Sequence, residues 1–176
     1  MAEKPRFDIR PVVHSEFEAL AAVARDTFRE HFTEGNDPEH LEAYLSMLTA
    51  DALRSEAEKE GAEFWVAVDE DGSFAGYFKT RFKRNREPSI PGANPMEIER
   101  IYERQSVVGT GLLSDLLRVA RNRAKERGAD VLYFAIWERS PGTIEYFGTQ
   151  GFHEVGHTSF DLGGDRQRDI VLAVHL

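Results

Sequence analysis

Residues 96–137 read MEIERIYERQSVVGTGLLSDLLRVARNRAKERGADVLYFAIW, and the succession of patterns in this stretch decides the fold class. Met96 to Tyr102 alternates as a strand, which assigns Glu97, Glu99 and Ile101 to one face and Ile98, Arg100 and Tyr102 to the other. A glycine turn, Val107-Val-Gly-Thr-Gly-Leu112, comes next. Leu112, Leu113, Leu116, Leu117, Ala120 and Ala124 then form the apolar stripe of a helix, which Arg127 and Gly128 suit as an end. Val131 to Trp137 is an almost uniformly apolar strand. Strand, glycine turn, helix, strand is the signature of a mixed sheet covered by helices.

Upstream, Phe7 to Arg10 is a short strand closed by Pro11, which cannot donate to a ladder. A helix is expected from about Ser15, with Phe17, Leu20, Ala21, Ala24 and Phe28 on one face. Asp37 and Pro38 read as the cap and first turn of a second helix, bearing Leu41, Tyr44, Leu45 and Leu48 and running, with a bend, to Lys59. Phe64 to Val68 and Phe74 to Phe82 are strands joined by the turn residues Asp69-Glu-Asp-Gly72. Arg84 to Pro95 reads as an exposed loop at a substrate rim. Downstream, Ser140 and Pro141 start a helix that Gly151 ends, and His153 to Leu162 and Ile170 to Leu176 close the chain as antiparallel strands around Gly163-Gly164-Asp165.

A chain of 176 residues makes about one domain, spanning 1–176. Its 22 Lys and Arg against 31 Asp and Glu leave a net charge of -9, which disfavours a protein that wraps duplex DNA. The absence of cysteine rules out disulfides, a thiol nucleophile and cysteine-ligated metals. The six histidines are scattered, and even His153 and His157 lie ~13 Å apart along a strand, so no metal is expected. Neither a signal segment nor a run of ~20 apolar residues occurs, so the expectation is a soluble cytoplasmic protein away from membranes.

At a helix start, successive backbone N–H groups of Val107, Val108, Gly109, Thr110, Gly111 and Leu112 can point into one concavity, for which a diphosphate is the natural ligand. A tight connection between elements accounts for the same glycines. The run is neither GxxxxGK[ST] nor a three-glycine dinucleotide fingerprint.

From Phe7-Asp-Ile-Arg-Pro11 through Ile98-Glu-Arg-Ile-Tyr102, Gly109-Thr-Gly-Leu-Leu113, Trp137-Glu-Arg-Ser-Pro141 and Gly151-Phe152, the chain resembles the GNAT acetyltransferase superfamily. Phe160-Asp-Leu-Gly-Gly164 and Gln167-Arg-Asp-Ile-Val171 are similar to bacterial spermine and spermidine acetyltransferases. The resemblance implies an α/β fold: a mixed, centrally splayed sheet of about seven strands flanked by helices, with acetyl-coenzyme A in the split. The family's [QR]xxGx[GA] turn, on whose backbone the pyrophosphate rests, corresponds to Ser106-Val-Val-Gly109-Thr-Gly111. Ser106 stands where Gln or Arg is usual, with Arg104 or Gln105 beside it to compensate. Ile101 and Tyr102 would hold pantetheine through their backbone.

Acetyl transfer to an amine needs an uncharged nucleophile, a fixed carbonyl and stabilisation of the leaving thiolate. Glu97 is the implied general base, and Glu99, two residues along, is the second candidate. The family's helix after the last parallel strand carries Asn, Ala and an acid Tyr, whose positions here hold Ser140, Thr143 and Phe147. Phenylalanine has no proton to give, and Tyr146 substitutes only if its helix is turned by about 100°. Phe28, Phe32, Tyr44 and Leu48 would wall the acceptor groove, with Glu30, Glu34, Asp37 and Glu42 attracting a cation. Arg118, Arg121, Arg123, Lys125 and Arg127 suit a helix C-terminus without any ligand.

These readings converge on an N-acetyltransferase acting on a small-molecule amine such as a polyamine, with no nucleic-acid partner and with sheet edges able to form a homodimer. The competing reading is a noncatalytic acetyl-coenzyme A sensor with a degenerate site.

Overall fold

The computed structural model describes residues 6–82 and 89–176. Seven strands form one sheet: β1 (Asp8–Pro11), β2 (Ala62–Val68), β3 (Phe74–Phe82), β4 (Pro95–Glu103), β5 (Val131–Trp137), β6 (His153–Leu162) and β7 (Asp165–His175). They lie in the order β1-β2-β3-β4-β5-β7-β6. Neighbours are antiparallel except β4 and β5, which run parallel. This is the mixed α/β arrangement expected from residues 96–137.

The helices are α1 (Phe17–Phe32), α2 (Pro38–Leu45), α3 (Ala50–Ala57), α4 (Leu112–Glu126) and α5 (Pro141–Thr149). Residues of α1, α2 and α3 share one core with Phe64, Val66 and Tyr77. On the other sheet face, Leu112, Leu116, Leu117, Ala120 and Ala124 of α4 and Phe147 of α5 meet Phe78, Met96, Ile98, Ile101 and Leu132. Each face of the sheet is thereby buried under its own helix layer.

Several boundaries differ from the sequence expectation. The helix foreseen from Asp37 to Lys59 is two helices, because side chains between them terminate one and start the other. The Ser46 hydroxyl donates to the Ala43 carbonyl, and Thr49 Oγ1 accepts from the Ala52 amide. The Asp37 cap forms as expected, taking the Glu39 amide at 2.8 Å. Ser140 occupies the cap position of α5 but makes no capping bond with its side chain. The closing strand β7 begins five residues before Ile170, so it includes Asp169. Residues 84–88 of the expected loop Arg84 to Pro95 lie outside the described residues; of the rest, Ile90 is buried against Val131, Tyr133 and Val171, and Pro95 belongs to β4.

The alternation assigned to β4 is also corrected. Lys79 of β3 pairs with Arg100 and Thr80 with Ile98, so Glu99 is skipped in the register. Such a bulge shifts the facing of the residues that follow it. Met96, Ile98 and Ile101 consequently share the core under α4, while Tyr102 packs toward α1. Ile101 therefore does not share a face with Glu97 and Glu99.

Candidate active site

Pairing between β4 and β5 stops early. Pro95 to Ile98 register with Val131 to Phe134, and the strands then diverge. The next β4 residues, 99–103, therefore have no β5 partner on that side. Between the diverging strands lies a cleft of about 680 Å³. Glu97, Glu99, Arg100, Ile101, Tyr102 and Glu103 line it from β4, Tyr133 to Trp137 from β5, Ser140 from the cap of α5, Thr143 and Phe147 from α5, and Asp169 and Val171 from β7. Its outer wall is aromatic: Phe28 lies 4.4 Å from Phe32 and 4.5 Å from Tyr44 between ring centroids, and Tyr102 stands edge-on to Phe32. Leu48, expected in this wall, is buried in the helix core instead.

Beyond Glu103 the chain enters the glycine turn. A short 3-10 segment covers Gln105–Val107, and Gly109 and Gly111 both take positive φ, 87° and 90°. That conformation favours glycine at both positions. A Cβ at Gly109 would meet nothing within 4 Å, so the space over the turn is open. The amides divide into two groups. Val107, Val108 and Thr110 donate to the carbonyls of Arg104, Gln105 and Val107, and the Leu113 amide donates to the Glu103 carboxylate at 3.1 Å. The amides of Gly109, Gly111 and Leu112 meet no acceptor among the described residues. The amides left without an acceptor are thus fewer than the continuous run expected from the sequence, and they cluster at the N-terminus of α4.

Helix α1 fastens this turn. Arg104 bonds Asp26 at 2.9 Å and the Phe74 carbonyl at 2.7 Å, Glu30 accepts the Gln105 amide at 2.7 Å, and His31 Nε2 meets the Glu103 carbonyl at 2.8 Å. Arg104 is therefore committed to the protein and does not stand in for the missing cation at Ser106. Three of the four acidic residues expected to draw a cation are occupied likewise: Glu30 here, Asp37 as a cap, and Glu42 with Arg29.

Glu97 is half-buried and accepts from the Tyr133 hydroxyl at 3.4 Å. Glu99, the second candidate, is held by Lys79 and lies 3.9 Å from Arg81. Lys79 also reaches Glu56 at 2.7 Å, and Arg100 grips Glu56 through both nitrogens at 2.9 and 3.1 Å. Burial pushes the Glu56 carboxyl up, but Arg100 and Lys79 outweigh it and hold it below the usual range. Glu99, the second candidate for the base, thus belongs to a half-buried charge network with Lys79, Glu56 and Arg100.

Phe147 is 1% exposed and faces the cleft, packed on Phe134 and Phe152. The helix is not turned to favour its neighbour. Tyr146 is absent from the cleft lining; its hydroxyl is shut off from solvent beside Ser114 of α4, without reaching it in hydrogen-bonding geometry. Tyr146 is corrected accordingly from candidate acid to packing residue. The basic stretch of α4 serves structure: Arg123 and Arg127 both grip Glu63, Arg118 pairs with Asp115, and Arg121 reaches the Gln150 carbonyl.

Asp169 is a cleft residue that escaped the sequence reading. Asp169 of β7 is 8% exposed, lies opposite Trp137, and is pushed up to about 6 by burial and by the neighbouring charge of Glu138. Its signal was a lone acid at the head of the apolar run Ile170-Val-Leu-Ala-Val174. Among the described residues no group of three or more His, Cys, Asp or Glu is placed to hold a metal, and no helix is long and apolar enough to cross a membrane.

A sheet splayed between parallel strands, with a glycine turn leading from the split into a helix, is the architecture of GNAT acetyltransferases. The acetyltransferase (GNAT) family model matches residues 17–152, and the chain belongs to that family. A Lactobacillus delbrueckii subsp. lactis protein described as an uncharacterized N-acetyltransferase in the pepI 3' region is 31% identical over 152 residues, covering 86% of this chain and 87% of its own length. Among solved structures, the PaiA N-acetyltransferase of Thermoplasma acidophilum in complex with coenzyme A is similar at TM-score 0.76 and 17% identity, over 97% of this chain and 99% of that one. A GCN5-related N-acetyltransferase from Rhodopseudomonas palustris gives TM-score 0.74 at 16% identity, over 97% and 96% of the two chains.

Proposed function

We propose that this protein transfers an acetyl group from acetyl-coenzyme A to a primary amine, with a polyamine or another small cationic amine as acceptor. The observation that carries the reading is the unpartnered amide cluster of Gly109, Gly111 and Leu112 at the mouth of the split between β4 and β5. Three donors converging at a helix N-terminus fit a pyrophosphate without a cationic side chain. The unpaired edge of β4 offers Ile101 and Tyr102 backbone groups to an extended pantetheine arm, as an added strand would use them. The side chains of Phe147 and Ser140 border the same channel. Bound acetyl-coenzyme A would supply the activated acyl group.

The chain's own residues do the rest. The aromatic wall of Phe28, Phe32 and Tyr44 takes the acceptor's carbon chain. Glu97 receives a proton from the acceptor ammonium, directly or through water, and so exposes the nitrogen lone pair. The β4 backbone donors hold the carbonyl in place as charge gathers on its oxygen. With Phe147 at the acid position, no cleft side chain there protonates the departing thiolate; thiolate is a good leaving group, and solvent completes the step.

That same Phe147, together with the sequestered Tyr146 hydroxyl, favours a second reading, a coenzyme-binding sensor without turnover. A panel of primary amines incubated with the purified protein and acetyl-coenzyme A separates the two. The enzyme reading expects coenzyme A release that falls ~100-fold or more in Glu97→Gln with unchanged KM for acetyl-coenzyme A. Tight coenzyme binding with no acetylation of any amine establishes the sensor.

A further inference from the structure

We infer that Asp169 selects the acceptor, its carboxylate receiving a cationic group that lies apart from the amine presented to Glu97. The inference rests on the acetyltransferase reading and adds a specificity-determining residue to it.

Asp169 is buried, lines the cleft, and its carboxylate has no hydrogen bond or ion pair among the described residues. The other acidic side chains around the cleft are matched internally. Glu99 is paired with Lys79, Glu103 takes the Leu113 amide, and Glu97 accepts from Tyr133. Glu138, beside Asp169, pairs with Arg168 at 3.5 Å. A buried carboxylate left without a partner carries a desolvation cost that a ligand cation would offset. Above pH 6 the group is mostly ionised despite its raised pKa, so it presents that charge at neutral pH.

The surroundings suit a cation as well. Trp137 lies directly across from Asp169 in the β5–β7 ladder, and on the same side its ring meets Phe32 at 6.2 Å. Tyr102 faces the same region from β4, close enough that the Asp169 charge raises its pKa further after burial has done so. Aromatic faces around an acid attract an ammonium and pack the methylenes leading to it.

Register sets the spacing. Glu97 pairs with Tyr133, whereas Asp169 pairs with Trp137, four residues further along β5. Four residues of strand span about 13 Å, so one ammonium cannot bridge both acids, whereas an acceptor with two separated cationic groups can. The favoured acceptor is therefore an extended diamine or longer amine with a charge at each end.

The test compares 1,8-diaminooctane with 8-amino-1-octanol, which keeps the length and one amine but lacks the second cation. Wild-type protein is expected to show a KM for the diamine about tenfold lower than for the amino alcohol at similar kcat. Asp169→Asn removes that difference by raising the diamine KM alone, and Asp169→Glu restores part of it. Calorimetric titration of both amines into coenzyme A-loaded protein reads the same ratio as Kd, whether or not turnover occurs. Equal values for the two amines in the wild type, or an unchanged ratio in Asp169→Asn, overturn the inference. A fall in kcat for both amines with KM untouched overturns it too, because the residue would then act on the chemistry. Coenzyme A titrated alone reports on the parent reading: failure to bind overturns the acetyltransferase proposal, whereas tight binding with equal amines overturns the Asp169 assignment only.

Discussion

Glu97 and Asp169 reach the cleft from strands on its opposite sides, in different company. Glu97 has the Tyr133 hydroxyl beside it, and Asp169 has aromatic rings and the charge of Glu138. The difference has a consequence for stability. The folded-state pKa of Asp169, about 6, lies above its ordinary 3.8, so the folded protein binds the proton more readily than the unfolded chain. Ionisation therefore costs stability: the penalty is absent below pH ~4, grows between pH 4 and 6, and is complete above. Asp169→Asn is expected to stabilise the protein at pH 7.5 by up to about 2 kcal/mol and to leave it unchanged near pH 4, as read from urea denaturation at both values. A gain of the same size at both pH values would show that the carboxylate's charge is not the cause. Single residues were unevenly legible. Phe147 stood out because its position in the motif is chemically specific. Asp169 did not, because the strand's apolar pattern starts one residue later and burial of an acid leaves no periodic trace.

At the scale of elements, hydrophobic spacing carried α4, β5 and the β2–β3 hairpin. The stripe from Leu112 to Ala124 is buried as its period requires. Spacing failed where side-chain hydrogen bonds overrule it. Leu41, Tyr44, Leu45 and Leu48 read as one continuous face, yet Ser46 and Thr49 break the helix between them. Thr49→Ala deletes the α3 cap and should cost about 1 kcal/mol in denaturant unfolding, without changing coenzyme affinity. The β4 bulge failed to show for a related reason. Strict alternation is the default of an extended strand, and one skipped residue is set by the partner strand rather than by local sequence. It is also functional geometry, since it puts Glu99 on Lys79 and Ile101 in the core while the strand's far edge opens.

On the scale of the whole molecule, two helix layers clamp a sheet that is continuous except between β4 and β5 beyond Ile98 and Phe134. The fold class was readable because strand, glycine turn, helix and strand appear in order within residues 96–137. The cleft's lining was not, for it gathers residues from α1, α2, α4, α5, β4, β5, β6 and β7 that only tertiary packing brings together. The chain's net charge of -9 favours encounter with cationic molecules and disfavours the approach of polyphosphates. On the proposed reading, local amide donors hold the coenzyme against that net charge. The most direct measurement follows the backbone amide signals of the glycine turn by NMR as coenzyme A is added. The account predicts that Gly109, Gly111 and Leu112 shift most, while Val107, Val108 and Thr110, bonded to the turn's own carbonyls, shift less. Saturable coenzyme binding that leaves those three amides unmoved would contradict it.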